Sequence, residues 1–370
     1  MKITAIHAHY VRIPYDMGAP SEEFAGLHFP TMDHMLVEVR TDAGITGWGE
    51  GFGHNIIPAT MKALECYVAP WFIGKDPTNI NALHREAAQS FHIFGRNGVV
   101  VYAHSGIDIA LWDIAGKRAG LPVSDLLGGT RREEVTAYAS LMRYNNPETV
   151  KRICAERVEA GFTHIKLHEH TVEAVMAARE GAGPGVAIMN DVNCPWTVPQ
   201  ALEMERAYRP ANLYWLEEPV FPPEDHKGLA RVRQEGQTRI AAGENGAGLH
   251  DFVDKFEKGS IDVAQPSVTK IGGITEMRKI IAAAEAHSVE LIPHCAYFGP
   301  GNLASIHIVA SLSTDTLLEN IYANFEASPY GDAMVAKDGK ISVPQGPGLG
   351  VEPDMWLVEK YRQGAMVTVT

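Results

Sequence analysis

Eight short runs rich in β-forming residues recur along the 370-residue chain at spacings of 22–30 residues, with helix-like stretches between them. They are EVTAYAS (134–140), HIKLH (164–168), VAIMND (186–191), YWLEEP (214–219), RIAAGE (239–244), DVAQPS (262–267), ELIPH (290–294) and TLLEN (316–320). That interval is the length of one β-loop-α unit. Eight such units predict a closed parallel barrel in an α/β chain, in preference to an open doubly wound sheet.

The segment before the barrel reads differently. ITAIHAHYVRI and HMLVEVRT alternate apolar and polar residues around a polar stretch at 14–34, which predicts antiparallel strands flanking a long loop. From about Ala59 to Gly120 the period becomes helical, and Ile107, Ala110, Leu111 and Ile114 fall on one helix face. Gly120 and Pro122 then supply a stop signal.

Composition removes several function classes. With 45% apolar and 21% charged residues the chain has material for a core, and its 35 Gly and 22 Pro follow no collagen-like period. A net charge of −13 repels phosphate backbones and anionic headgroups, so neither nucleic acid nor membrane is expected as a partner. An anionic substrate would then need local positive charge. Cysteines 66, 154, 194 and 295 form no CxxC pair or disulfide framework, and neither an export signal nor an 18-residue apolar run is present. A cytoplasmic location is the expectation. No dinucleotide or P-loop fingerprint occurs, since GEGFGHN has glycines at the wrong spacing.

The chemistry is expected where barrel strands end. Five runs close on charged or metal-capable side chains: Lys166 and His168, Asp191, Glu217, Glu244, and His294. Asp191, Glu217 and Glu244 are 26 and 27 residues apart, one unit each. Three carboxylates brought together repel unless a cation joins them, and oxygen-only ligation suits Mg²⁺ better than Zn²⁺. No HxH or HExxH run supplies nitrogen ligands for a zinc hydrolase.

AHSGIDIALWDIAGKRAGLPVSDLLGG (103–129), followed in order by DVN, WLEEP, AAGEN, QPSVTKIGGITE and IPH, resembles the mandelate racemase group of the enolase superfamily. In that superfamily a Lys or His base works with Mg²⁺ on an ene-diolate. The resemblance covers almost the whole chain, including GWGEGFG and DGKISVPQGPGLGVE. It implies a modified TIM (β/α)7β-type barrel at 126–320, with an α+β capping domain built from residues 1–125 and the tail 321–370. It also implies metal ligation by Asp191, Glu217 and Glu244 but not Glu218, and a substrate pocket lined by loops at about 15–30 and 51–58. Asn193 resembles a substrate contact, and Glu319 a carboxylate that holds or protonates the enolate oxygen. A homo-oligomer is the implied assembly.

Two departures from the group bear on the reaction. Lys166-Leu167-His168 replaces the usual Lys-x-Lys, putting a histidine at the base position, where imidazole can work at neutral pH. Ser267 replaces the aspartate that pairs with the seventh-strand histidine, which makes His294 a weaker base and a suitable acid. Lys270 is read as a basic residue away from the reacting carbon. His54, Asn55, Tyr297 and Phe298 are candidate pocket residues, while Trp71, Phe72, Trp112, Cys194 and Cys295 read as packing.

The expected function is an Mg²⁺-dependent dehydratase acting on a small hydroxy carboxylate, an acid sugar. His168, or failing it Lys166, removes the α-proton, Lys166 and Glu319 help hold the enolate, and His294 protonates the departing β-hydroxyl. A racemase or epimerase using His168 and His294, and a lactone cycloisomerase, are the alternatives through the same enolate. A non-catalytic, metal-stabilised ligand binder is the alternative of a different class.

Overall fold

A computed structural model of the chain describes residues 1–20, 29–129 and 132–370. All eight runs are strands. β4 (Glu134–Ser140), β5 (His164–Leu167), β6 (Ala187–Asp191), β7 (Leu213–Glu217), β8 (Ile240–Ala242), β9 (Val263–Ala264), β10 (Glu290–Leu291) and β11 (Leu317–Ile321) form a parallel sheet in which β11 returns to pair with β4. The seven intervening helices are α6 (Pro147–Glu159), α7 (Val172–Ala182), α8 (Val198–Tyr208), α9 (His226–Glu235), α10 (Leu249–Glu257), α11 (Gly273–Ala286) and α12 (Pro300–Ser311). This is a (β/α)7β order. Between β10 and β11, where no strand ladder is formed among the described residues, Thr316 Oγ1 donates to Leu291 O at 2.8 Å.

Ahead of the barrel lies an antiparallel sheet of β1 (Ile3–Asp16), β2 (Thr31–Thr41) and β3 (Thr46–Gly51). Strands from the tail join β1: β12 (Asn324–Phe325) at one end and β14 (Val367–Val369) along its middle. A third tail strand, β13 (Lys340–Ser342), pairs with β4 instead. Helices α1 (Ile57–Ala63), α2 (Ala69–Phe72), α3 (Ile80–Phe91), α4 (Val99–Ala119) and α5 (Val123–Leu126) follow the sheet, and α13 (Met355–Tyr361) lies in the tail.

Three expectations change here. The loop expected at 14–34 is shorter, because β1 runs to Asp16 and β2 begins at Thr31; residues 21–28 of it lie outside the described residues. The 51–58 stretch is not all loop: a 3₁₀ turn covers His54–Ile56 and α1 starts at Ile57. α4 is buried on nearly every side, Asp108, Trp112 and Asp113 included, and is not a one-faced amphipathic helix. Its contact with β3 is backbone to backbone, since a side chain at Gly47 or Gly49 would collide with the carbonyls of Ala110 and Gly106. No helix among the described residues is long and apolar enough to cross a membrane.

The N-terminal unit also completes the barrel helices. α11 and α12 are preceded by Gly272 and Gly299, which bring no side chain to satisfy the first N–H groups. Those groups are met from across the interface. Asp108 Oδ1 accepts from Thr275 N and Ser105 Oγ from Gly272 N, both at 2.9 Å, and Glu50 Oε2 accepts from Gly301 N at 2.9 Å. Trp112 Nε1 adds a bond to Thr275 Oγ1 at 2.9 Å.

His84 of α3 closes the same junction, with Nε2 3.1 Å from Glu276 Oε2 and Nδ1 3.6 Å from Asp108 Oδ2. Burial alone would depress this imidazolium, but Asp108 and Glu276 outweigh it and push its pKa up to about 9. A raised pKa stabilises the fold fully below the unfolded value near 6.5, and the contribution fades as pH rises through about 9. The parent should therefore lose thermal stability relative to His84→Leu between those pH values, by on the order of 3 kcal/mol. Thermal unfolding of both proteins across that range checks it; parallel curves would contradict the assignment.

Candidate active site

The barrel interior is plugged by Tyr138, Met189, Trp215, Ala241, Val263, Ile292 and Leu317, one residue from the inner face of each of seven strands or its continuation. Side chains alternate along a strand, so the next inward residue lies two positions on and one layer nearer the C-terminal mouth. Met189 is thus followed by Asp191, Trp215 by Glu217, Ile292 by His294 and Leu317 by Glu319. Lys166 takes the corresponding place on β5, its Nζ 5.9 Å from the Tyr138 ring centre. The apolar plug is the floor on which these charges stand.

Lys166 is fully buried, and its ammonium is shared among three carboxylates: Glu319 Oε1 at 2.7 Å, Glu217 Oε1 at 3.1 Å and Asp191 Oδ2 at 3.5 Å. Burial would strip its proton, but Glu217, Glu319 and Asp191 hold its pKa well above the usual lysine value. Glu319 is itself held down to about 2; against its burial stand Lys166, His294 and the Cys295 N–H bound to Oε2 at 2.7 Å. In this structure it accepts from both Lys166 Nζ and Cys295 N. Glu217 takes Trp215 Nε1 on its other oxygen at 2.9 Å, yet burial and the neighbouring Asp191 push its carboxyl well up. Asp191 Oδ2 is buried without a hydrogen-bond partner. Glu218 turns away to Asn245 Nδ2 (2.6 Å) and Cys194 Sγ (3.3 Å).

The tautomers of two histidines follow from their partners. His168 Nδ1 lies 2.5 Å from Leu141 O, and a carbonyl only accepts, so Nδ1 carries a hydrogen and Nε2 is the nitrogen that faces the site. Asp191 Oδ2, 3.4 Å from Nε2, is the counter-charge once that nitrogen gains a proton. His294 is arranged the opposite way. Its Nε2 lies 2.9 Å from Glu244 Oε2, and this carboxylate is held well below the usual range: against burial, His294, Lys270 and Lys166 favour its ionised form. Nε2 of His294 is therefore the protonated nitrogen, while Nδ1 lies 3.1 Å from Ser267 Oγ.

A cavity of about 160 Å³ opens above this layer, walled by His168, Asn193, Glu244, His294 and Glu319 from the barrel and by Phe52 and His54 from the N-terminal unit. Asp191, Glu217 and Lys166 lie directly beneath it. His54 is half-buried, and burial together with Lys270 and His294 pushes its pKa down to about 4, leaving it neutral. Tyr297, expected on the pocket wall, is instead behind His294, its hydroxyl bonded to His294 O at 3.1 Å and to Ser267 Oγ. Phe298 does line the cavity, and Trp112 sits at the interface with α11.

Two cavity residues were not assigned from sequence. Arg143 follows β4 in a stretch with no motif; its Nε donates to His168 O at 2.6 Å and its Nη2 to Asn193 Oδ1 at 3.2 Å. Lys270, expected away from the reacting carbon, lines the cavity wall with its Nζ 4.8 Å from the centre of the Phe52 ring. Together they bring positive charge to the mouth of an acidic protein.

As the side chains stand, Lys166 occupies the space among Asp191, Glu217 and Glu319, and Glu244 faces His294; no three His, Cys, Asp or Glu groups among the described residues surround one point. Lys166 is thus the internal counter-ion of the site. Replacing it by Met in metal-free protein should cost about 3–5 kcal/mol, because buried carboxylates lose their partner. Urea unfolding in the presence of chelator measures this, and an unchanged midpoint would contradict it.

Known proteins are similar to this chain along nearly its whole length. The family model for the mandelate racemase / muconate lactonizing enzyme N-terminal domain matches residues 24–128, and that for the enolase C-terminal domain-like region matches 149–357. D-galactarolactone cycloisomerase of Agrobacterium fabrum is 32% identical, over 98% of this chain and 99% of the relative. Arabinonate dehydratase of Saccharolobus solfataricus is 30% identical, over 91% and 92% respectively. The crystal structure of L-talarate dehydratase from Polaromonas sp. JS666, complexed with Mg and L-glucarate, superposes with a TM-score of 0.84 at 27% identity, covering 100% of this chain and 99% of that one. Motifs, barrel order and relatives agree: the chain belongs to the mandelate racemase/muconate lactonizing enzyme family of the enolase superfamily.

Proposed function

We propose that this protein is a Mg²⁺-dependent acid-sugar dehydratase, converting a hydroxy carboxylate to a 2-keto-3-deoxy acid. The observation that carries the reading is one cavity bounded by two imidazoles held differently: His168, anchored through Nδ1 to Leu141 O, and His294, paired through Nε2 with the Glu244 carboxylate. A base and an acid are what β-elimination needs.

The donor set of Asp191, Glu217 and Glu244 fits a hard divalent cation. It is all oxygen, Asp191 Oδ2 is buried without a hydrogen-bond partner, and Glu217 is pushed toward protonation by uncompensated negative charge. Asp191, Glu217 and Glu244 would hold the Mg²⁺, which when bound would supply Lewis-acid polarisation of a substrate carboxylate and so make its α-proton more acidic.

His168 Nε2 takes the α-proton, while its Nδ1–H stays on Leu141 O and keeps the ring oriented. Lys166, held by Glu319, donates hydrogen bonds to the charge that develops on the carboxylate oxygens. His294, acting as the imidazolium, gives its Nε2 proton to the β-hydroxyl as the C–O bond breaks and water leaves, and ends as the neutral ring. The resulting enol takes a solvent proton at C3 and becomes the ketone. Ser267 and Tyr297 position His294 from behind; Asn193, held by Arg143, and His54 contact substrate hydroxyls. Arg143 and Lys270 compensate substrate charge.

Residues 126–320 form the catalytic barrel in this reading, and 1–125 with 321–370 its cap. A cytoplasmic homo-oligomer acting on a small anionic carboxylate, with no nucleic-acid or membrane partner, completes it. Cycloisomerisation of a lactone is the second reading, favoured by the relative from Agrobacterium fabrum; the same proton abstraction would then expel a ring oxygen.

Incubation of purified enzyme and Mg²⁺ with an acid-sugar library should give a semicarbazide-reactive keto acid. His168→Ala and His294→Asn should each lower kcat by at least about 100-fold. Absence of keto product from every acid sugar, with lactone ring-opening intact, would replace dehydration by the second reading.

A further inference from the structure

A second cleft, of about 480 Å³, lies on the other side of Phe298 and Ile321, which line both spaces. Strand β11 divides the two. Its alternation sends Glu319 to the catalytic cavity, while Asn320 and the following Tyr322 line the cleft.

The cleft holds polar groups that the fold does not use. Arg157, on α6, stacks its guanidinium carbon 4.1 Å over the Tyr322 ring and forms no ion pair among the described residues, in a chain with 45 acidic residues. Its Nε is buried with no hydrogen-bond partner. Asn302, 4% exposed, spends its amide nitrogen on Tyr297 O at 3.0 Å, but its Oδ1 is buried and unpartnered. Asp332, the acidic residue on this wall, lies 3.7 Å from Lys337. Leaving such groups unsatisfied costs roughly 1–3 kcal/mol each, more for a charged one.

Arg157 calls for an anion and Asn302 Oδ1 for a hydrogen-bond donor. A molecule that offers both is a hydroxylated carboxylate. We propose that the cleft is a second binding site for a polyhydroxy carboxylate, with Arg157 holding the carboxylate and Asn302 Oδ1 a hydroxyl, parted from the catalytic cavity by Phe298 and Ile321. The choice of ligand class rests on the dehydratase reading; the site itself rests on the unpaired groups.

Equilibrium dialysis of radiolabelled D-gluconate against the full-length Mg²⁺-loaded protein tests it. Arg157→Gln should bind one equivalent fewer than the parent, or bind that equivalent at least tenfold more weakly, with its circular dichroism and unfolding temperature retained. Arg157→Lys, which keeps the charge, should fall between the two and serves if the glutamine variant folds poorly. D-gluconate uptake that does not depend on Arg157 overturns the site. Displacement of the Arg157-dependent equivalent by inorganic phosphate as readily as by unlabelled D-gluconate also overturns it, since the site would then read charge alone. If no acid sugar is turned over but the Arg157-dependent equivalent remains, the dehydratase reading fails and the site stands.

Discussion

The ammonium of Lys166 is the interaction on which the centre of this protein depends. Asp191, Glu217 and Glu319 converge on it within 3.5 Å at the top of an apolar plug. Buried charges of one sign are costly unless paired, and one lysine cannot neutralise three carboxylates. The remainder appears as an Asp191 oxygen that has only long ion-pair contacts and no hydrogen bond, and a Glu217 carboxyl pushed toward its neutral form. A site with surplus buried negative charge and oxygen donors invites a divalent cation, and the cation in turn lets an acidic protein hold an anion.

Geometry around that centre comes from two rules. Period-two alternation lifts Asp191, Glu217, His294 and Glu319 one layer above the plug, so His294 and Glu319 face the mouth because Ile292 and Leu317 face the interior. The N-terminal unit then fixes the loops that carry the polar residues. Asp108, Ser105 and Glu50 satisfy the first N–H groups of α11 and α12, whose preceding residues are glycines. The segment bearing Ser267 and Lys270 leads into the first of these helices, and the one bearing His294 into the second. The N-terminal unit is therefore part of the scaffold of the site as well as a wall of its cavity.

Much of this was legible in the sequence because it is carried by periodicity. The eight strands and the strand-end carboxylates can be read from order and spacing, and the family resemblance marks His168 as standing where a lysine is usual. What escaped depends on contacts between distant segments. Arg143 sits in a stretch without a motif and gains its place only when β4 and β5 pair side by side, bringing it to His168 O. The place of Lys270 on the cavity wall depends on Phe52 of the N-terminal unit, a contact that no local pattern records. Tyr297 was assigned to the pocket by proximity to His294, whereas its hydroxyl is taken by Ser267 and a carbonyl. The GWGEG glycines were visible as a motif, but their reason, the close approach of β3 to the α4 backbone, was not.

The central claim is that His168 removes a proton α to a carboxylate while Lys166 steadies the developing charge. Exchange of the substrate α-proton in ²H₂O, followed by NMR for the parent, His168→Ala and His168→Asn in the presence of Mg²⁺, tests this step apart from whatever leaves afterwards. The account predicts exchange or product labelling in the parent and its loss, by at least about 100-fold, in both variants. Exchange that proceeds at the parental rate without His168 would contradict it.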